Sequence, residues 1–300
     1  MGITMNNHLY IIGNGFDLAH GVESRYSDYF AWLDLMKYDK FKHLLCTYFP
    51  LDGNHKKGDD KMWQNYEEAL GKYYLEDIYE YIVDDLVDES PDNDNRSPMR
   101  EQAIYEDAPD IFFGEFWQAV REKFQEWVDH LIIETTDWKF ELDTSSKYLT
   151  FNYTDTLESL YEIPSDRITH IHGKARSNSQ IIVGHNNKSK RNPEYTGEFW
   201  QAKEGVRERI KAEMDKNYKD TSAIIRHHKQ FFDALAEITD IEVLGFSYSD
   251  IDYPYFAEIK KHVPLSAKWI FWYYSDEDQI KAKSYAGRLG LMNFEYCKCD

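Results

Sequence analysis

Apolar and polar positions follow two different rhythms along this chain. Leu9-Tyr10-Ile11-Ile12 is a short apolar run that breaks into Gly13-Asn14-Gly15-Phe16-Asp17-Leu18-Ala19-His20-Gly21. That order predicts a strand, a tight turn and a helix start. Helical spacing then dominates to about residue 144. Tyr26, Tyr29, Phe30, Leu33 and Met36 recur at helical intervals and predict an amphipathic helix over 27–38. The polar stretch 50–61 predicts a loop, 63–87 a long helix rich in Glu, Tyr and Leu, and 88–100 a second loop. Phe113, Phe116, Trp117, Val120, Phe124, Trp127, Val128 and Leu131 mark one face of a further helix.

From Lys147 the rhythm changes. Tyr148-Leu149-Thr150-Phe151, Arg167-Ile168-Thr169-His170-Ile171, Gln180-Ile181-Ile182-Val183 and Ile241-Glu242-Val243-Leu244 each predict a strand. Trp269-Ile270-Phe271-Trp272-Tyr273-Tyr274 predicts another, apolar enough to be buried on both faces. Helices fit between them at 198–214, 221–238, 253–261 and 276–289. Strands alternating with helices define the α/β class: a Rossmann-like, mostly parallel sheet flanked by helices, with a large helical insertion after the first strand. The expected domains are a core from 1–24 and 145–300, and an insertion over 25–144.

Composition narrows what such a fold does. The 300 residues include 23 Tyr, 17 Phe and 8 Trp, enough to bury a sizeable core. A formal charge of −19 argues against a general nucleic-acid binder, which needs a cationic surface. It leaves room for a small anionic ligand held locally by backbone N–H groups. Cys46, Cys297 and Cys299 make no zinc spacing and no disulfide framework, which points to a reducing cytosol. The first residues carry no basic region, and the apolar run after them is too short for a signal peptide or a spanning helix, so a cytoplasmic, membrane-free protein is expected.

In an open parallel sheet ligands bind beyond the carboxyl ends of the strands. Here the predicted strand ends carry Gly13-Asn14-Gly15-Phe16-Asp17, Asn152-Tyr153-Thr154-Asp155, His172-Gly173-Lys174, Gly184-His185-Asn186-Asn187 and Gly245-Phe246-Ser247-Tyr248-Ser249-Asp250. Each has a plainer explanation. Asn152 suits a helix N-cap. His170 and His172 alternate on a strand and so face opposite sides. Asp250 and Asp252 suit a surface turn, and Trp63, Glu67 and Glu68 suit the surface and core positions of a helix.

The ordered set of those motifs, together with Trp63-Gln64-Asn65-Tyr66-Glu67, resembles the bacteriophage abortive-infection AbiH family over nearly the whole chain. The resemblance implies a role in phage defence. A more distant likeness is to sirtuins. Gly13-x-Gly15 followed by Gly21-Val22 resembles the sirtuin turn that wraps the NAD diphosphate, and Thr150-Phe151-Asn152-Tyr153 resembles the strand end whose Asn lies beside the nicotinamide ribose. Ile171-His172-Gly173 resembles the segment bearing the catalytic histidine, and Gly245-Phe246-Ser247 a later cofactor turn.

This likeness implies a sirtuin-like core in which Asn152 and His172 are catalytic, with Asp155 beside them. The sirtuin acid falls at Thr154 here, one residue earlier than Asp155. Gly13, Asn14, Gly15, Phe16, Asp17, Gly21, Gly184, His185, Gly245, Phe246 and Ser247 become the cofactor-binding set. Glu23 stands where sirtuins have a proline, and the four-cysteine zinc ribbon of the deacylases is missing. The closer analogy is to the sirtuin-like domains of phage-defence systems that destroy NAD.

The expected chemistry is hydrolysis of NAD, as substrate, to nicotinamide and ADP-ribose, with no metal. The leaving group is a neutral base expelled from a cationic pyridinium, so a held ribose and a dry pocket matter more than a strong acid. Asn152 would orient a water or a ribose hydroxyl, and His172 would accept a proton. Two alternatives stand beside it. One is a non-catalytic nucleotide sensor, its helical insertion serving as the surface for a second copy or another defence partner. The other is a metal-dependent nuclease built on Asp17, His20, His172, Asp250 and Asp252.

Overall fold

The computed structural model describes residues 7–51, 66–88, 97–178, 180–188 and 202–299. The chain divides into two compact units, one of Met1–Arg25, Val128–Ile182 and Asp220–Asp300, the other of Tyr26–Trp127 and Val183–Lys219.

The first unit is built on six parallel strands. They are β1 (His8–Ile12), β2 (Lys147–Thr150), β3 (Ile168–His170), β4 (Asp240–Leu244), β5 (Lys268–Tyr273) and β6 (Phe294–Lys298), in the spatial order β3-β2-β1-β4-β5-β6. Ile12 pairs with Thr150 on one side and Leu244 on the other, so the chain leaves β1, β2 and β4 at one level. The direction of winding reverses between β1 and β4, which is the switch point of a doubly wound sheet.

Alternation along the strands explains the two faces. Leu9, Ile11, Leu149, Ile241, Val243, Trp269 and Phe271 point to a core completed by Phe232, Tyr255, Phe256, Ile259, Tyr285 and Leu289. Those residues come from helices Lys229–Asp233, Tyr253–His262 and Asp276–Leu289. The last of these starts on a capping box, Ser275 accepting from the Asp278 amide while Asp278 accepts from Ser275, and stops at the left-handed Gly290. Tyr10, Ile12, Tyr148 and Leu244 point the other way, onto Phe16, Leu157, Tyr161 and Ile163.

The second unit is helical: Tyr26–Leu35, Asp39–Tyr48, Tyr66–Leu70, Leu75–Glu80 running into a π-helical stretch at Tyr81–Asp88, most of Pro98–His130, and Ala202–Lys216. Tyr29, Tyr66, Phe124 and Trp127 pack ring against ring in its core, with Tyr29 and Phe124 centroids 5.4 Å apart. Among the described residues no helix is long and apolar enough to cross a membrane.

Several sequence expectations change. Residues 180–183 form no strand: the chain turns back at Gly173, Ile182 N–H donates to the His172 carbonyl, and Val183 onward joins the helical unit. The helix expected over 63–87 is broken at Gly71, where the chain turns through Gly71 N–H to Glu68 O; its residues 63–65 lie outside the described residues. Residues 98–100, expected in a loop, open the helix Pro98–His130. Helix 221–238 is two short pieces, Thr221–His227 and Lys229–Asp233, meeting at His228. β5 is fully buried on one face only, at Trp269 and Phe271, because Trp272 on the other side donates to the Glu242 carboxylate and stays half-buried. β6 is unforeseen, being a partly exposed edge strand with Glu295 and Lys298 among its five residues.

The sheet's glycine turns set a testable limit. A Cβ on Gly245, which has φ +62°, would run into the Phe16 amide, whereas one on Gly114 in its helix would meet nothing within 4 Å. Gly245→Ala is expected to cost about 3 kcal/mol, from left-handed strain plus overpacking. Gly114→Ala should gain up to about 1 kcal/mol from helix propensity. Urea denaturation of the two variants checks the opposite signs.

Candidate functional site

At the switch point the turns after β1 and β4 are pressed backbone to backbone. Gly13 N–H donates to Leu244 O at 2.9 Å and Gly15 N–H to Gly245 O at 2.7 Å. A Cβ on Gly13 would sit 2.6 Å from Gly245 O, and one on Gly15 would sit 2.8 Å from the Gly245 Cα. The glycines at 13, 15 and 245 are therefore required by contact between two turns. Phe16 N–H donates back to Gly13 O, so the amides of Gly13, Gly15 and Phe16 are all engaged inside the protein. Asn14, Gly21 and Ser247 are the exposed members of the predicted cofactor-binding set; Gly13, Phe16, Asp17 and Phe246 are buried. Asn14 exchanges two hydrogen bonds with Ser24, closing the segment that follows the first helix, Asn14–Ala19.

That helix also carries the most unusual group of the site. Asp17 is 1% exposed, and its two carboxylate oxygens accept the Thr154 hydroxyl at 2.6 Å and the Thr156 hydroxyl at 2.7 Å. Burial pushes its pKa from 3.8 up to about 6, against the pull of hydrogen bonds from Thr154, Thr156 and Asn152 and of the nearby His170. Asn152, at the end of β2, is itself buried and donates its amide to Gly13 O at 3.1 Å. Its side-chain carbonyl, Oδ1, is buried with no hydrogen-bond partner. A buried acceptor left unpaired costs free energy, so it is one polar atom of this region that a ligand could satisfy, Glu158 Oε2 being another buried without a partner.

The other predicted residues fall into separate environments. His172 is buried, with Nε2 3.2 Å from the Tyr255 hydroxyl and its ring edge-on to Phe151 and Tyr255. His170 joins Asn152 O at 3.2 Å to Glu158 at 3.1 Å, and Lys174 adds a second donor to Glu158 at 2.6 Å. Burial raises the Glu158 pKa, but the bonds from His170 and Lys174 outweigh it and hold the carboxyl below its ordinary value. Asp155 points away from the Asp17 cluster, to Arg176 at 2.7 Å. The same guanidinium donates to Leu131 O at 2.9 Å, so this ion pair ties two loops together.

Gly184 and His185 belong to the helical unit. Gly184 N–H donates to Glu67 at 3.1 Å, and His185 Nε2 lies 2.9 Å from Met214 O. Glu67 also pairs with Lys219, whose side chain is wholly buried, at 3.0 Å. The groups considered for a metal are dispersed as well. His20 bridges Phe16 O at 2.7 Å and the Tyr161 hydroxyl at 2.8 Å, and Asp250 pairs with Arg288. Among the described residues no three His, Cys, Asp or Glu side chains are grouped to hold a metal ion. Thr156, Tyr255 and Glu158 were given no role from the sequence, and Thr154 stood out only as the position where the sirtuin acid falls. The repeat Thr-x-Thr two residues after Asn152 was the one available hint, because that spacing can put two hydroxyls on one side.

Fold and site together define a doubly wound, all-parallel α/β domain, accompanied by a helical unit, with a buried polar cluster at its switch point. The family described as Bacteriophage abortive infection AbiH matches residues 9–273, and the chain belongs to that family. No curated protein and no solved structure matches it.

Asp17 gives the site a pH signature. Its folded pKa, about 6, lies above the unfolded 3.8, so its contribution to stability is fully present below the unfolded value and is lost as pH rises through 6. Asp17→Asn removes that titration. Between about pH 3.5 and pH 7 the parent should lose about 3 kcal/mol relative to the variant. Urea denaturation of both proteins at the two pH values measures the change, and a constant gap would contradict it.

Proposed function

We propose that this protein serves abortive infection by binding NAD at the strand ends of its sheet unit and hydrolysing it to nicotinamide and ADP-ribose. Membership of the AbiH family supports the defence role. The observation that carries the chemistry is the unpartnered, buried Oδ1 of Asn152, one strand from the switch point where doubly wound sheets take dinucleotides. A neutral amide acceptor there can receive a hydrogen bond from a ribose hydroxyl or a water without adding charge beside a developing oxocarbenium.

The glycine turn does not cradle the diphosphate with the amides of Gly13, Gly15 and Phe16, which are engaged elsewhere. In this reading the exposed Asn14, Gly21 and Ser247 face the diphosphate, while Gly13, Gly15 and Gly245 keep the two turns close enough to present them. The C1′–nitrogen bond breaks with its electron pair leaving on nicotinamide. Water oxygen bonds to C1′, and the proton it loses passes to His172 and then to solvent. Phe151, Tyr153 and Tyr255 around His172 supply the dry, apolar wall such a step needs.

Purified protein mixed with NAD is expected to release nicotinamide, followed by chromatography. Asn152→Ala and His172→Ala should each lower the rate by about a hundredfold or more. NAD bound in calorimetry without release in any buffer would make the site a sensor. Neither binding nor release would end the nucleotide reading.

A further inference from the structure

We propose that Asp17 is the positioning residue of this site: its carboxylate clamps the Thr154 and Thr156 hydroxyls and thereby holds Asn152 in its working orientation. The proposal rests on the NAD reading above and assigns the acidic role to Asp17 in place of Asp155.

Three observations carry it. The turn after β1 and the turn after β2 are joined at two points. Asn152 donates to Gly13 O, and four residues along the chain from Gly13, Asp17 takes both threonine hydroxyls. With the second point removed, residues 152–156 keep their bonds to Thr150, His170, Ala175 and Arg176, but the segment loses its side-chain tie to the first helix, and the direction of Asn152 Oδ1 is set less tightly. Next, the clamp is selective. Thr154 and Thr156 face Asp17, and the hydroxyls lie 3.2 Å from each other, while Asp155 between them is turned outward to Arg176.

Finally, folding alone does not ask for a carboxylate here. Among the described residues its hydrogen-bond partners are hydroxyls and an amide rather than a cation. A buried charge so held costs more than an uncharged acceptor of the same shape. What the ionised form supplies is two acceptor oxygens, one for each hydroxyl, with no competing donor. Among the described residues the titratable group acting on it is His170, on β3; the His20 ring, just past the end of its own helix, is tied to Phe16 O and Tyr161.

The test compares the full-length parent with Asp17→Asn, Thr154→Val and Thr154→Ser. Asp17→Asn and Thr154→Val should lower kcat for nicotinamide release about ten- to a hundredfold, as misplacement of a reacting group does, with KM within about threefold of the parent. Thr154→Ser, which keeps the hydroxyl, should restore the parental rate to within about threefold. The parental kcat should show an acid-side component with a midpoint near the Asp17 value of about 6, and that component should be absent in Asp17→Asn, where the remaining acid limb is that of the base His172. Should Asp17→Asn fail to fold, Thr154→Val, which deletes one hydroxyl at constant shape, carries the kinetic comparison.

An active parent whose rate and acid-side component survive in Asp17→Asn overturns the positioning role and leaves the NAD reading standing. A parent that neither binds nor cleaves NAD sinks that reading. Amide hydrogen exchange over residues 151–156 then decides the clamp alone. Faster exchange in Asp17→Asn and Thr154→Val upholds it, and unchanged exchange removes it.

Discussion

The structure depends on the close approach of two turns. Gly15 N–H reaches Gly245 O at 2.7 Å only because neither residue, nor Gly13, carries a side chain at the contact. That contact closes the carboxyl ends of β1 and β4, the two strands between which the sheet reverses its winding. It places the first helix, and Asp17 on it, directly over the end of β2. From there Asn152, Thr154 and Thr156 can reach back to Gly13 and Asp17. Any substitution that pushes the turns apart would disturb the polar cluster before it disturbed the apolar layers beneath.

The same contact changes what the glycines mean. A glycine turn between a strand and a helix is ordinarily read as room for a phosphate, with free amides lining it. Here the amides of Gly13, Gly15 and Phe16 serve the protein itself, and the room is filled by the opposing turn. Unmet hydrogen-bonding capacity lies one strand over, on Asn152 Oδ1, with Glu158 Oε2 a second such atom nearby. A site can thus keep the outline of a dinucleotide turn while its chemistry shifts to the next strand end. Asp17 carries the accompanying cost: a buried carboxylate with a raised pKa is a stability loss at neutral pH that makes sense only if its two acceptor oxygens are put to use.

The sheet was legible because apolar runs ending in Gly, Asn or His mark parallel strand ends, and β1, β2, β3, β4 and β5 lie within a residue or two of the runs that announce them. Residues 180–183 misled because Ile181 and Val183 are buried, as a strand would require, while the backbone there follows a turn at Gly173. β6 was silent because an edge strand half in water keeps no apolar run. Within the site, Asn152 and His172 stood out by residue type and place. Their partners did not, since Tyr255 is separated from His172 by 83 residues and Thr154 from Asp17 by 137, distances over which no local pattern speaks. Asp155 drew attention by being acidic beside Asn152, yet the alternation of side chains turned it to Arg176 and turned two plain threonines inward.

Motif residues in the two units meet different physical demands. In the helical unit, Glu67 accepts from Gly184 N–H and from Lys219, while Lys219 N–H donates to His185 O at 2.8 Å and His185 N–H to Asn217 O at 3.3 Å. A wholly buried lysine paired in this way adds little net stability but permits few alternative arrangements. It fastens the 183–187 segment to 217–219 and to the helix at Tyr66–Leu70. That demand accounts for Glu67, Gly184 and Lys219 without any ligand. The cluster at the sheet's switch point differs in its pairing, because its carboxylate is held by neutral hydroxyls where Glu67 is held by a lysine. A fold that needed only fastening at that place could have used a lysine opposite Asp17, as it does opposite Glu67. The absence of a cation among Asp17's hydrogen-bond partners in the described residues leaves the charge available to orient Asn152 rather than to be neutralised.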